Sequence, residues 1–212
     1  MPLVIETAFL QLKVGYDTQK VRDLVKKSQQ VQAQWIRKHQ PELLEGKPYH
    51  HTTDFWFSED ELPCLFLAAP WESVKAHKDW IKSRENTSTM LELQEVMSQD
   101  EDAVFLCHLN PAGDEVDLRG DLLAKGPIKV WRISVKPEER TLVEKEYRNI
   151  EALSSAGPGQ GMWAGWRIEK VKDAEEMIII ASPSMEDAVE SNIAVKFVDA
   201  KVFRFQYQPF VY

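Results

Sequence analysis

One sequence phrase occurs twice in this chain of 212 residues, and this repetition most restricts the folds available to it. Residues 64–76 align without a gap with residues 177–189, and an apolar stretch precedes Pro70 in the first copy and Pro183 in the second. A small-residue helix cap and a helix follow the proline in each copy. A strand, a proline and a helix that recur together predict an internally duplicated structural unit.

The first copy also places a histidine on the inner side of a helix. Pro70 is expected to end the apolar strand, and Ser73 is expected to cap the helix that follows, because a serine side chain can accept a hydrogen bond from an exposed amide of the first turn. Val74, His77 and Ile81 then recur at helical spacing, so that they form one stripe that faces the sheet.

Periodicity predicts the element order βαββαβ twice. The first unit covers residues 1–112, a connector rich in turn residues covers 113–126, and the second unit covers 127–212. Strands are expected at 4–14, 49–58, 64–69, 103–109, 128–135, 162–171, 177–181 and 198–207. Helices are expected between the turn at 15–18 and Pro41, over 73–98 in two parts, from Pro137, and from Ser184.

This order is the ferredoxin-like arrangement of an antiparallel sheet with both helices on one face. Several strands are apolar on both faces, as in 55–57, 65–67 and 177–180, so the face without helices also needs a cover. We therefore expect an α+β fold in which two tandem ferredoxin-like units pack their antiparallel sheets face to face as an α+β barrel.

Composition excludes several classes of function. A net charge of −8 disfavours nucleic acid, because such binding relies on Lys and Arg that neutralise phosphates. No apolar run approaches the ~20 residues that cross a bilayer, and the first residues have neither a basic region nor a cleavage site. Cys64 and Cys107 lie in apolar strands, which favours reduced, buried thiols. These features predict a cytoplasmic protein without nucleic-acid or membrane partners.

The phrase in the first copy resembles the dimeric α+β barrel superfamily, and within it the antibiotic-biosynthesis-monooxygenase type. Such chains carry a Trp-x-Ser phrase after a strand, then a helix with Ala-His or Ala-Phe, Trp and Ser. Here the matching residues are Trp71-Glu-Ser73, Ala76-His77, Trp80 and Ser83. The resemblance extends over the whole chain as a tandem repeat, although the second copy lacks most of the phrase and is expected to be a structural half.

The resemblance implies a ligand in the space between the sheets. Members of the superfamily include cofactor-free oxygenases of aromatic compounds, polyketide cyclases, decarboxylases, haem-degrading enzymes and chlorite-processing enzymes, and the fold alone does not choose among them. Haem-degrading members carry an axial histidine further along the helix, where this chain has residues 84–90 without a histidine. We therefore expect no cofactor.

Histidines are the candidate catalytic residues. His77 is the leading candidate for a general acid or base, since an imidazole exchanges protons near neutrality; the alternative is a core histidine bonded to backbone or to a strand hydroxyl. His50 and His51 point to opposite faces of a strand, so that one of them is expected to enter the cavity, and Asp54 shares the face of His50 and can orient it. His108 is a third candidate, with a structural role as its alternative.

Aromatic and basic residues are the candidates for substrate binding. Arg132 and Arg204 can hold a carboxylate or an enolate, or can pair with acids at the surface. Trp163 and Trp166 have opposite strand parity, so one can stack on a ligand while the other packs beneath helices. Trp56, Phe66 and Trp80 complete the set. No ligand spacing for a metal occurs, and we expect no metal.

The leading hypothesis is a small-molecule enzyme of secondary metabolism that binds an apolar, aromatic or polyketide-like compound. Histidine acid–base catalysis would serve a cyclisation, dehydration or decarboxylation. A cofactor-independent monooxygenase of phenolic or polyketide compounds is the alternative enzyme, and a non-catalytic ligand-binding or scaffold protein is the alternative class. The tandem repeat removes the need for a second copy to close the barrel, but a homodimer stays open.

Overall fold

The computed structural model describes residues 3–45, 52–58, 63–113, 127–154, 161–197 and 201–209. It confirms an α+β protein with antiparallel sheets. The chain divides into two compact units, the first extending to Leu106 and the second running from Cys107 to Pro209. The elements up to Pro111 follow the order strand, helix, strand, strand, helix, strand, with the second helix in two pieces, and the elements from Ile128 onward follow the same order. The predicted connector lies outside the described residues, apart from its first residue.

Three strands of the first unit pair in the order β1-β3-β2, and all pairs are antiparallel. The elements of this unit are β1 (Val4–Gln11), α1 (Thr18–His39), β2 (Asp54–Ser58), β3 (Cys64–Trp71), α2 (Val74–Ile81), α3 (Arg84–Leu93) and the start of β4 (Val104–Pro111).

Side-chain caps explain where the helices of the first unit begin. The Asp17 carboxylate accepts hydrogen bonds from the amides of the first turn of α1, and Pro41 follows the end of this helix. Ser73 Oγ accepts from the Ala76 amide at 3.1 Å, so α2 begins where the sequence predicts. Ser83 Oγ accepts from the Asn86 amide at 3.0 Å and begins α3, which confirms the two-part helix.

The sheet of the first unit is buried on both faces, and only one face packs on helices. Residues of α1 and α3 meet the strand face that includes Leu10, Phe55 and Leu65. The opposite face carries aromatic rings, among which Phe66 lies 5.1 Å from Phe9 and 5.7 Å from Trp56 between ring centroids. The alternation of residues along each strand separates these two sets.

The second unit has the sheet order β8-β5-β7-β6-β4. Its elements are β5 (Ile128–Val135), α4 (Arg140–Ser154), β6 (Met162–Arg167), β7 (Glu175–Ala181), α5 (Glu186–Val189) and the backbone of β8 (Lys201–Pro209), and the end of β4 joins at β6. One-turn 3₁₀ segments precede both helices, at Pro137–Glu139 and Pro183–Met185. The second helix therefore begins at Glu186 and not at Ser184.

Trp166 and Trp163 occupy opposite faces of β6, as their parity predicts. Trp166 belongs to the core beneath the helices, where its Nε1 donates to Glu144 at 3.1 Å and the Arg140 guanidinium lies 4.7 Å from the ring centroid. Trp163 is also buried, on the other face. Val143 and Tyr147 of α4 pack on the same core as Trp166.

Three expectations need correction. Pro70 does not end its strand, because β3 continues to Trp71. β1 ends at Gln11, and β6 ends at Arg167, both earlier than periodicity suggests. Cys107 is buried, but Cys64 is only partly buried, and neither of these two described cysteines is in a disulfide bond. Within the described residues, no helix combines the length and the apolar character that a membrane span requires.

Candidate active site

A cavity of about 220 Å³ lies in the first unit, between the helices and the sheet. Apolar side chains from four strands and two helices form most of its wall, and Ile81 and Asn86 line it at the junction of α2 and α3. The polar side chains that line it are Glu6, Ser28, Gln32, Thr53, His77, Asn86 and Thr89. An apolar cavity with few polar groups is the usual form of a small-molecule site.

Glu6 is a carboxylic acid at the inner face of the sheet. It lies on β1 opposite Ala69, and only 6% of its surface is exposed. Trp71 Nε1 donates a hydrogen bond to Glu6 Oε2 at 2.8 Å. Burial raises the pKa of Glu6 from 4.5 to about 7, and the hydrogen bond from Trp71 opposes part of this rise.

His77 is the partner of this acid. Its Nε2 lies 3.2 Å from Glu6 Oε2, and its side chain is 2% exposed. The imidazole stacks on the Trp71 ring, with centroids 4.6 Å apart and planes 25° apart. Because the Trp71 side chain contacts both groups, it fixes the acid and the imidazole relative to each other.

Two more indole rings extend this end of the cavity. Trp80 lies 6.5 Å from Trp71 and 5.5 Å from Trp35 between ring centroids. Trp80 lines the cavity and is 6% exposed. The Glu6–His77 pair therefore lies beside a cluster of indole rings, of which Trp80 lines the cavity and offers a flat, apolar surface to a ligand.

The arrangement is suited to proton transfer. A carboxyl group with a pKa of about 7 is present in both protonation states near neutrality, and it can therefore accept a proton and return it. The imidazole of His77 lies next to this carboxyl group and is a second group that can carry a proton. Glu6 Oε2 and His77 Nε2, 3.2 Å apart, therefore form a buried acid–base pair in the cavity.

Hydrogen bonds join α1 to the segment before β2, where Thr53 lines the cavity. Gln29 Nε2 donates to the Thr53 carbonyl at 2.8 Å, and Thr53 Oγ1 donates to Gln32 Oε1. These bonds join the helix to the segment that precedes β2. They leave the Thr53 and Gln32 side chains already hydrogen-bonded to each other.

The structure separates the predicted catalytic residues. Only His77 lines this cavity; His50 and His51 lie outside the described residues. Asp54 is half-buried at the first position of β2, and its strand parity places it on the face opposite the cavity. His108 belongs to the second unit, where its Nδ1 lies 2.5 Å from Glu169 Oε1.

The predicted binding residues also fall in separate places. Trp80 lines the cavity, whereas Trp56 and Phe66 lie on the face of the sheet away from it. Arg132 Nη2 lies 3.2 Å from Glu176 Oε2 in the second unit. Trp163 and Trp166 also belong to that unit, as does Arg204, whose side chain lies outside the described part. Among the described residues, no three His, Cys, Asp or Glu side chains cluster as a metal site.

Sequence reasoning missed Glu6. The available signal was strand parity: Glu6 alternates with Ala8, Leu10 and Leu12, all of which are buried. A charged residue in register with a buried apolar face is a candidate functional group, since its burial is unfavourable unless the charge is used or compensated.

Comparison with known proteins now adds to this geometry. No protein-family model matches the chain, and no curated protein matches its sequence. Solved structures do match. A putative monooxygenase from Fusobacterium nucleatum has a TM-score of 0.60 and 8% identity, with 98% of this chain and 91% of that chain covered.

Two further solved structures match the fold of this chain over nearly its whole length. A putative monooxygenase from Lactobacillus acidophilus has a TM-score of 0.57 and 10% identity, covering 99% of this chain and 93% of that one. An anthrone oxidase-like protein has a TM-score of 0.58 and 12% identity, covering 99% and 91%. The chain has the fold of these proteins. At such identities the likeness extends to the fold, and chemistry has to be argued from the site.

Proposed function

We propose that the protein is a cofactor-independent monooxygenase of small aromatic compounds of phenolic or polyketide type, with its site in the cavity of the first unit. The observation that carries this proposal is the Glu6–His77 pair, buried beside an indole wall. The names of the solved structures with this fold, two putative monooxygenases and an anthrone oxidase-like protein, support oxygen chemistry over a cyclisation or dehydration.

The proposed reaction begins with removal of a proton from an activated carbon of the substrate. The acid–base pair accepts this proton, and the resulting carbanion donates electrons to dioxygen, so that a carbon–oxygen bond forms and a hydroperoxide results after the proton returns. The pair then removes the second proton from the same carbon while the O–O bond breaks. For a methylene group, one oxygen atom becomes a carbonyl oxygen, and the other leaves as water with both hydrogens.

The proposal assigns different parts to the two residues. Glu6 supplies the negative charge, and burial in an apolar site makes its carboxylate a stronger base than it would be in water. His77 lies at hydrogen-bond distance from this carboxylate and carries the proton. Trp71 positions both. The second unit, in which the Trp-x-Ser phrase is missing, completes the proposed tandem duplication as a structural half. Association of two copies and a cytoplasmic location stay predictions.

Oxygen uptake with anthrone as the probe tests the function. We expect uptake above the rate of spontaneous oxidation, with one molecule of oxygen consumed per anthrone. Glu6→Gln and His77→Ala should each lower the rate by about 10²-fold or more. His108→Ala is the matched control, because it removes a buried histidine that also pairs with a glutamate but lies in the other unit.

Three outcomes would count against the proposal. Full uptake in both Glu6→Gln and His77→Ala would remove the pair from the mechanism. Turnover of a phenolic or polyketide probe without oxygen uptake would favour cyclisation, dehydration or decarboxylation by the same pair. Binding without any turnover would favour a ligand-binding protein.

A further inference from the structure

Ser28 is a buried hydroxyl that the fold leaves without a hydrogen bond. It lies on α1, lines the cavity, and is 8% exposed. Its Oγ has no hydrogen-bond partner among the described residues. A helical serine or threonine usually bonds to the carbonyl four residues earlier. Thr87 and Thr89 do this in α3, with distances of 2.9 and 3.0 Å.

Ser28 and the acid–base pair line the cavity from different elements, Ser28 from α1, Glu6 from β1 and His77 from α2. Trp35 packs on Trp71 and Trp80, and Ser28 precedes Trp35 by seven residues on α1. This separation corresponds to ~10 Å along a helix. Lys27 Nζ, on the residue before Ser28, lies 2.6 Å from Glu92 Oε1 near the end of α3.

The other hydroxyl and amide groups of the lining have partners inside the protein. Thr53 bonds to Gln32, Thr89 bonds to the Glu85 carbonyl, and Asn86 Nδ2 donates to the Ile81 carbonyl at 3.1 Å. A buried polar group without a partner is unfavourable and is rare in folded proteins. Among the described lining hydroxyls, Ser28 is therefore the one whose Oγ has no partner within the protein.

We propose that Ser28 determines substrate specificity by a hydrogen bond to an oxygen substituent on a substrate atom other than the reacting carbon. This inference rests on the proposed function, in which the reacting carbon faces Glu6 and His77. The cavity of about 220 Å³ is smaller than the ~300–1,000 Å³ of drug-sized sites. The substrate class is accordingly a flat compound of two or three fused rings, with a hydroxyl or carbonyl oxygen on a carbon other than the one that is oxidised.

Binding of a matched pair of ligands tests the role of Ser28 without any oxygen chemistry. The probes are 2-naphthol and 2-methylnaphthalene, which differ by a hydroxyl in place of a methyl group, and titration calorimetry under nitrogen measures both affinities. We expect the wild-type protein to prefer 2-naphthol. Ser28→Ala should lower the affinity for 2-naphthol about fivefold and leave that for 2-methylnaphthalene unchanged, because only one ligand loses a hydrogen bond.

Thr89→Val is the control variant. It also removes a helical hydroxyl of the lining, but one that already bonds to the Glu85 carbonyl, so the ratio of the two affinities should stay at the wild-type value. The thermal unfolding temperature of ligand-free Ser28→Ala should be unchanged or higher, since the variant removes an unsatisfied hydroxyl. A large drop would assign Ser28 a structural role and overturn the inference.

The outcomes separate this inference from the proposed function. An unchanged affinity ratio in Ser28→Ala overturns the specificity role, even where oxygen uptake with anthrone is normal. Absence of uptake together with a fivefold effect in Ser28→Ala overturns the oxygenase and leaves Ser28 as a ligand-binding residue. Failure of both probes to bind overturns the inference and removes the cavity as the proposed site.

Discussion

His77 Nε2 lies 3.2 Å from Glu6 Oε2, and both side chains are almost completely buried. The distance is short enough for a hydrogen bond between the imidazole and the Glu6 carboxyl group, whose pKa burial raises to about 7. Water does not screen the pair, so a change of charge on either residue affects the other and the stability of the fold. Two of the three predictions below follow from this relationship, and the third concerns the second unit.

Replacement of Glu6 by glutamine should stabilise the protein at alkaline pH. The pKa of Glu6 is about 7 in the folded state and 4.5 in its ordinary range, so the folded protein binds this proton more tightly. The resulting stability is fully present below pH 4.5 and is lost as the pH rises through 7. The full loss is about 3 kcal/mol. Glutamine keeps the shape without the charge.

Urea unfolding from pH 4.5 to 8 measures this effect. The difference in the free energy of unfolding between Glu6→Gln and wild type should grow by about 2–3 kcal/mol in favour of the variant over this range. Subtraction of the wild-type curve removes the contribution of the titrating groups that do not interact with Glu6, so the difference reports on the Glu6–His77 pair. A difference that is constant with pH would show that the Glu6 carboxyl ionises normally in the folded protein.

Replacement of Trp71 by phenylalanine should shift the pH dependence of activity. The Trp71 N–H donates to Glu6 Oε2 and holds the pKa of Glu6 below the value that burial alone would produce. Phenylalanine keeps the stacked ring but loses this donor. The rise of kcat/KM with pH should therefore occur at higher pH in Trp71→Phe than in wild type.

Trp80→Phe is the control for this measurement. Trp80 lines the same cavity and packs on the same aromatic wall, while the donor at 2.8 Å from Glu6 belongs to Trp71. Its pH profile should match the wild type even if its rate falls. Equal shifts in both variants would mean that loss of an indole changes the site by packing and not through the Glu6 carboxyl.

Gly165→Ala should destabilise the second unit. A Cβ atom at this position of β6 would lie 2.6 Å from the Trp163 ring and 2.7 Å from Leu109 Cβ, and both neighbours are buried. Overpacking of this kind costs about 1–3 kcal/mol. Denaturant unfolding measures the loss. Gly113→Ala is the comparison, because its added atom meets only the flexible end of Glu151, and it should cost less.

Local signals in the sequence predicted much of the fold. β5 runs from Ile128 to Val135 as expected, and α2 begins at the Ser73 cap, because these features depend on neighbouring residues. The prediction that Pro70 ends its strand was wrong because of how the strands pair in the sheet. β2 pairs with β3 only as far as Ala68, so Pro70 has a strand on one side, opposite Ile5, where the missing N–H is tolerated.

The site was predictable only in part. Helical spacing places His77 on the inner face, and the structure confirms this orientation. Glu6, the partner of His77, also accepts a hydrogen bond from Trp71, which follows it by 65 residues. No local sequence pattern connects residues that are so far apart in the chain. Aromatic strand residues such as Trp56 and Phe66 indicate that a strand face is buried, but they do not indicate whether a cavity lies beside it. The cavity lies on the helix side of the sheet, and the periodicity of the sequence does not predict it there.

The raised pKa of Glu6 means that the fold is strained by the same charge that the proposed chemistry requires. A selection for heat resistance alone, carried out above neutral pH, should therefore recover Glu6→Gln among its first variants. These variants would be more stable to heat but would lack the proposed activity. Retention of the acid in a lineage would then report that turnover, and not robustness, is what selection has maintained.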